Sequence, residues 1–100
     1  MVKHIILWTI KDEYTAEKKC EIKKNAKREL EALVGKVPGL IELELHTEGL
    51  PSSNADMMLD STLESVEALK GYQTNPDHVA AANSFVRPYT DTRLCLDFEI

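Results

Sequence analysis

Residues 72–88, Tyr72-Gln-Thr-Asn75-Pro76-Asp77-His78-Val-Ala-Ala-Ala82-Asn-Ser-Phe85-Val-Arg-Pro88, carry a helix with both ends written into the sequence. The Asn75 side chain can cap free backbone N–H groups, and Pro76 suits the first helical position, where its missing N–H would have no partner. Asp77 adds a negative charge beside the positive end of the helix dipole, and Pro88 marks the far limit. Between these limits His78, Ala82 and Phe85 fall at i, i+4 and i+7 and share one face. His78 therefore points with apolar side chains. It also lies in the first turn, where the dipole disfavours imidazolium, so a neutral ring is expected at pH 7. The tight Thr74-Asn75-Pro76 corner brings the Tyr72 hydroxyl toward that imidazole. No other stretch gathers groups capable of chemistry.

Working outward, residues 90–100 read as the last strand, with Leu94, Leu96 and Phe98 alternating against Arg93, Cys95 and Asp97. On the other side, Ser65 caps a short helix carrying Val66, Leu69 and Tyr72. Residues 56–63 form a strand with Met57, Leu59 and Leu63 on one face and Met58, Asp60 and Thr62 on the other. The Gly, Pro, Ser and Asn content of residues 48–55 marks a loop. Before it, residues 40–46 alternate Ile41, Leu43 and Leu45 with Glu42, Glu44 and His46, following a Pro38-Gly39 turn. Residues 16–34 repeat Ile22, Ala26, Leu30 and Leu33 at helical spacing, with Thr15 as cap and Gly35 as stop. Residues 2–10 open the chain as a strand. Val2, His4, Ile6, Trp8 and Ile10 lie on one face, and Lys3, Ile5, Leu7 and Thr9 on the other.

The order is strand, helix, strand, strand, helix pair, strand. That predicts an α+β, ferredoxin-like split βαβ fold, a four-stranded antiparallel sheet with helices on one face. The other face still carries Ile5 and Leu7, joined by Leu94, Leu96 and Phe98. A homodimer packed through the sheet faces would cover them.

One hundred residues make a single domain, residues 1–100, with one core. A hydrophobic share of 43% fits a globular chain, and a net charge of −5 argues against nucleic acid or anionic membrane as partner. Cys20 and Cys95 lie far apart without metal or redox spacing and read as reduced thiols. The opening Met-Val-Lys-His-Ile-Ile is too short for a signal peptide, and no segment approaches membrane-spanning length. A cytoplasmic location is expected.

Three stretches together carry a family resemblance. Val2-Lys3-His4-Ile5 opens the chain. Leu63-Glu64-Ser65-Val66-Glu67-Ala68-Leu69 leads through Tyr72 to Asn75-Pro76-Asp77-His78. Val86-Arg87-Pro88-Tyr89 leads through Arg93 to Asp97-Phe98-Glu99. In order and spacing the chain resembles the stress-responsive A/B barrel (Dabb) domain family. The resemblance implies a dimeric α+β barrel in which two sheets close together. Most members have no established activity. Some plant relatives are polyketide cyclases, where a Tyr and a His act as acid and base between helices and sheet. Those roles map onto Tyr72 and His78, and a second pocket His maps onto His4. The implied small apolar cavity would be walled by His4, Ile6, Trp8 and Leu59 from the sheet. Ile22, Ala26, Val66, Ala82 and Phe85 would line it from the helices, with Tyr89 beyond them. Two departures from the cyclase pattern stand out. Asn75 replaces the first His of the usual His-Pro-x-His, and Ile22, Lys23 and Ala26 replace an aromatic lining.

Structural readings stand beside these roles. His78 also reads as a core residue bonded to a carbonyl and packed on Phe85, and Tyr72 as a core or interface tyrosine. His4 fits a structural or pocket-lining role, Trp8 a core or cavity wall, and His46 an exposed or dimer-rim position. His4 and His78 lack a third ligand, so no metal is expected, and the absence of Gly-rich loop, GxSxG or HExxH motifs leaves no cofactor implied. Two function classes follow. The favoured one is a homodimeric binding or stress-associated module whose cavity holds a ligand, such as a small apolar oxygenated molecule, or nothing, without turnover. The other is a cofactor-free acid/base enzyme, cyclase-like or a related lyase or isomerase. The antibiotic-biosynthesis monooxygenases, another ferredoxin-like dimer family, are a further alternative that fits the 72–78 stretch less well.

Overall fold

The computed structural model describes residues 1–100. The elements are β1 (Val2–Ile10), α1 (Ala16–Glu31), β2 (Leu40–His46), β3 (Met57–Leu63), α2 (Val66–Thr74), α3 (Pro76–Phe85), a 3₁₀ turn (Arg87–Tyr89) and β4 (Thr90–Glu99). The strands form one antiparallel sheet in the order β2-β3-β1-β4, the expected ferredoxin-like α+β architecture.

Each helix starts where its cap places it. Thr15 accepts from the Lys18 N–H, Ser65 from Ala68 and Asn75 from Asp77. α1 stops at Glu31, three residues before the expected end at Val34. There the backbone tightens, with Leu33 N–H donating to Leu30 and Val34 to Glu31, before Gly35 turns the chain at φ +91°. This keeps Leu33 and Val37 buried. In β2 the strict alternation fails at Ile41. The register with β3 shifts between Leu40 and Glu42, so Ile41 becomes an extra residue, 44% exposed, while Leu40, Leu43 and Leu45 all turn inward.

Gly39 decides how this edge meets α2. Its φ is +80°, and a Cβ there would lie 2.5 Å from the Ala68 Cβ. At Gly35 the same atom would meet nothing within 4 Å. Gly39→Ala is therefore expected to destabilise by about 2–4 kcal/mol, combining backbone strain with overlap, against about 1 kcal/mol for Gly35→Ala. Urea melts of the two variants check this.

Ile22, Ala26 and Leu30 of α1 pack on Leu43 and Leu45, Leu59 and Leu63, and the even-numbered residues of β1, forming one closed core. That core stops short of β4, which is exposed along nearly its whole length. The gap between α3 and the β1–β4 pair is where the cavity lies.

Candidate active site

Alternation along β1 turns His4, Ile6 and Trp8 to the helix side. β4 pairs antiparallel with β1, placing Asp97 opposite His4, Cys95 opposite Ile6 and Arg93 opposite Trp8. The resulting cavity, about 490 Å³, is walled by His4, Ile6 and Trp8 below. Above lie Gln73 from α2 and His78 and Ala82 from α3, and Val86, Arg87, Thr90 and Arg93 close one end.

His4 is fully buried, and its Nδ1 is hydrogen-bonded to the Asp97 carboxylate. Asp97 can only accept when ionised, so Nδ1 carries the proton, and in the neutral ring Nε2 is the basic nitrogen. The strand beneath is held by Ser61, whose buried hydroxyl donates to the His4 carbonyl at 2.8 Å. Tyr72 links the two histidines. Its ring meets His4 edge-on at 5.7 Å and lies tilted against His78 at 4.2 Å. Tyr72 is 1% exposed and stands one layer behind the wall. Its hydroxyl is not among the sealed, unpartnered polar atoms, whereas Nδ1 of His78 is.

Burial sets the protonation of both α2–α3 groups. It pushes the Tyr72 phenol well above the ordinary range, with Arg93 opposing, so the hydroxyl stays protonated. It also lowers His78, helped by the nearby Arg87, His4 and Arg93 side chains and opposed by the Gln73 carbonyl. Cys95 is raised, by burial first and then by Asp97, which keeps it a thiol and a poor nucleophile. Because His78 is depressed in the folded chain, its contribution to stability is full above its ordinary value of 6.5 and is lost as pH falls toward the folded value. Urea midpoints should drop between about pH 7.5 and about pH 5.5, and drop less in His78→Gln, where the titrating ring is gone.

The residues singled out from sequence separate into two groups. His4, Ile6, Trp8, His78 and Ala82 meet at the cavity, with Tyr72 behind them. Ile22, Ala26 and Leu59 lie in the closed core instead, because α1 seals that end of the sheet. Val66 begins α2 and is 43% exposed. Phe85 ends α3 half-buried, and Val86 takes the wall position beyond it. Tyr89 packs edge-on against Tyr14 at 5.8 Å, with Lys18 above its ring. The end of the cavity is more polar than expected, through Gln73, Arg87, Thr90 and Arg93.

Sequence reasoning passed over Asp97, Cys95 and Arg93. Their signal was the antiparallel pairing of the first and last strands, which sets position 4 against position 97. Nδ1 of His4, Sγ of Cys95 and a carboxylate oxygen of Asp97 lie within 4.8 Å of one another, the one set of three ligands that could hold a metal ion. The His4–Asp97 hydrogen bond engages two of these groups with each other.

The sequence profile of the stress responsive A/B barrel domain matches residues 2–100. The chain belongs to that family. No curated protein sequence matches this A/B barrel domain. Among solved structures it is similar to a dimeric protein of unknown function and ferredoxin-like fold from Bacteroides fragilis. The two are 29% identical, with a TM-score of 0.92 over 99% of this chain and 95% of that one. It is also similar to At3g17210 from Arabidopsis thaliana, 26% identical, with a TM-score of 0.76 over 100% and 95% of the two chains. A hydroxynitrile lyase from Passiflora edulis shares the fold at 19% identity, with a TM-score of 0.75 over 99% and 92%. The neighbours include proteins of unknown function as well as an enzyme, and no specific activity is established for this A/B barrel domain. No helix is long and apolar enough to cross a membrane.

Proposed function

We propose that this A/B barrel domain is a cofactor-free proton-transfer enzyme acting on a small oxygenated compound held in the helix–sheet cavity. The observation that carries the reading is the packing, ring centre to ring centre at 4.2 Å, of an imidazole kept neutral against a phenol kept protonated. Groups whose environments push them apart in this way suit a base and an acid at one pH. His78 takes a proton from a carbon next to a carbonyl, the C–H electrons move into the enolate, and the Tyr72 hydroxyl, which stands behind His4 and His78 and is uncovered by a shift of those rings, bonds the developing oxyanion. The His78 imidazolium gives the proton back, and His4, its Nδ1–H held by Asp97, keeps Nε2 free to accept a hydrogen bond from the substrate. Such help is worth about 100- to 10,000-fold, enough for enolisation or ring closure of a reactive substrate.

The domain acts as a homodimer in this reading. Ile5, Leu7, Leu94, Leu96 and Phe98 lie on the sheet face away from the helices, and the similar Bacteroides fragilis protein is described as dimeric. Cytoplasmic residence accords with two free cysteines.

The test is deuterium wash-in at the methyl group of aryl methyl ketones in D₂O, followed by proton NMR. Exchange above buffer that disappears in His78→Gln supports the enzyme. Saturable shifts of the cavity ring signals without any exchange would leave a binding module instead.

A further inference from the structure

Arg87 and Arg93 reach the cavity from different elements, one from the 3₁₀ turn and one from β4. Neither has a carboxylate partner. The lysine and arginine ion pairs of the chain involve Lys3, Lys18, Lys27 and Arg28 alone. Eight of the 12 Lys and Arg are unpaired in this way, and these two are the ones that border the cavity. Asp97, the acid on the same sheet face, is engaged by His4 and by the Cys95 thiol. Arg87 is tethered rather than loose, since its Nη1 donates to the exposed Asn83 Oδ1 at 2.5 Å, which leaves its other N–H groups free.

We infer that the cavity takes a small carboxylate-bearing molecule, its acid group held by Arg87 and Arg93 and its apolar body against Ile6, Trp8 and Val86. The inference rests on the acid–base reading above and names the substrate class for the same site. A guanidinium presents parallel N–H donors that match a planar carboxylate, and partial enclosure strengthens the pairing relative to open water. The same forks match a phosphate, but the backbone cradle that usually completes a phosphate site is missing, because the start of α3 is already filled by the Asn75 side chain and Asp77. An acid group at the arginines would place the adjoining carbon skeleton beside His78, on which both guanidinium charges act.

Trp8 is the only tryptophan of the chain and stands in the wall, so its fluorescence reports occupancy. The probes are benzoate, its neutral isostere benzamide, and inorganic phosphate. Benzoate is expected to change the emission saturably, with benzamide at least about tenfold weaker, and Arg87→Gln and Arg93→Gln each should weaken benzoate about tenfold or more. Thermal melts of the two variants should match the wild type, since both side chains are at the surface. His78→Gln should still bind benzoate, which separates this inference from the acid–base reading. Binding through the arginines without ketone exchange would leave the inference standing and remove the enzyme. Exchange with no arginine-dependent benzoate binding would remove the inference alone. Equal binding of benzamide, unchanged affinity in both arginine variants, or displacement of benzoate by phosphate at lower concentration would also overturn it.

Discussion

Leu96→Asp is expected to turn a dimer into a folded monomer at micromolar concentration. Leu96 is 65% exposed in the single chain, opposite Ile5 in the β1–β4 register, with Leu94 and Phe98 two residues to either side. The strip is apolar at Ile5 and Leu7 of β1 and along β4. Toward β3 the same face turns polar, where Lys3 at the start of β1 donates to Thr62 and pairs with Asp60 at 2.5 Å. A face of this kind, apolar on one half and ion-paired on the other, suits a second copy rather than a lipid surface. A carboxylate at position 96 would be buried without a partner in each copy, at a cost of about 2–4 kcal/mol per copy. Two-fold symmetry repeats the cost, so the dissociation constant should rise by about a thousandfold or more. Within the isolated chain the same change touches little, and stability should move by about 0.5 kcal/mol or less. Ile5→Asp lies deeper and should harm the fold as well. Sedimentation velocity reads the outcome, and a wild-type protein that already runs as a monomer at those concentrations would sink the proposal.

Much of the fold was legible because its punctuation is local. Thr15, Ser65 and Asn75 each satisfy backbone donors within three residues, and Gly39 announces a turn that no side chain would tolerate. Ile41 was misread for the opposite reason. A bulge is a relation between two strands, and β2 alone shows only alternation. The site divides along the same line. Tyr72 and His78 are six residues apart, and a capped corner brings them together. Asp97 and Arg93 reach the cavity only through the register of β4 on β1, from the far end of the chain. Ile22, Ala26 and Leu59 have the composition of a cavity wall as well as of a core. Only the packing of α1 shows that this end of the sheet is closed and the other open.

His78→Gln is expected to remove most of the proton-exchange activity, by about 100- to 10,000-fold, while leaving the fold nearly untouched. The two halves of that expectation come from the same geometry. His78 is half-buried, and its Nδ1 makes no well-formed hydrogen bond, the Gln73 carbonyl being only a weak partner, so removing it orphans little. It borders a cavity of about 490 Å³ rather than filling a close-packed slot. Its loss should therefore cost about 1 kcal/mol or less, where a core histidine with a satisfied bond would cost about 2–4 kcal/mol. Tyr72→Phe tests the partner more sharply, because it keeps the ring that packs on both histidines and deletes only the hydroxyl. If that hydroxyl holds the developing oxyanion, exchange should fall by about 100-fold or more with the urea midpoint unchanged. Asp97→Asn should act through His4, since the amide no longer fixes the proton on Nδ1, and its effect should appear in the pH profile of exchange. A large stability loss in His78→Gln with exchange intact would place the imidazole in the scaffold and the chemistry elsewhere.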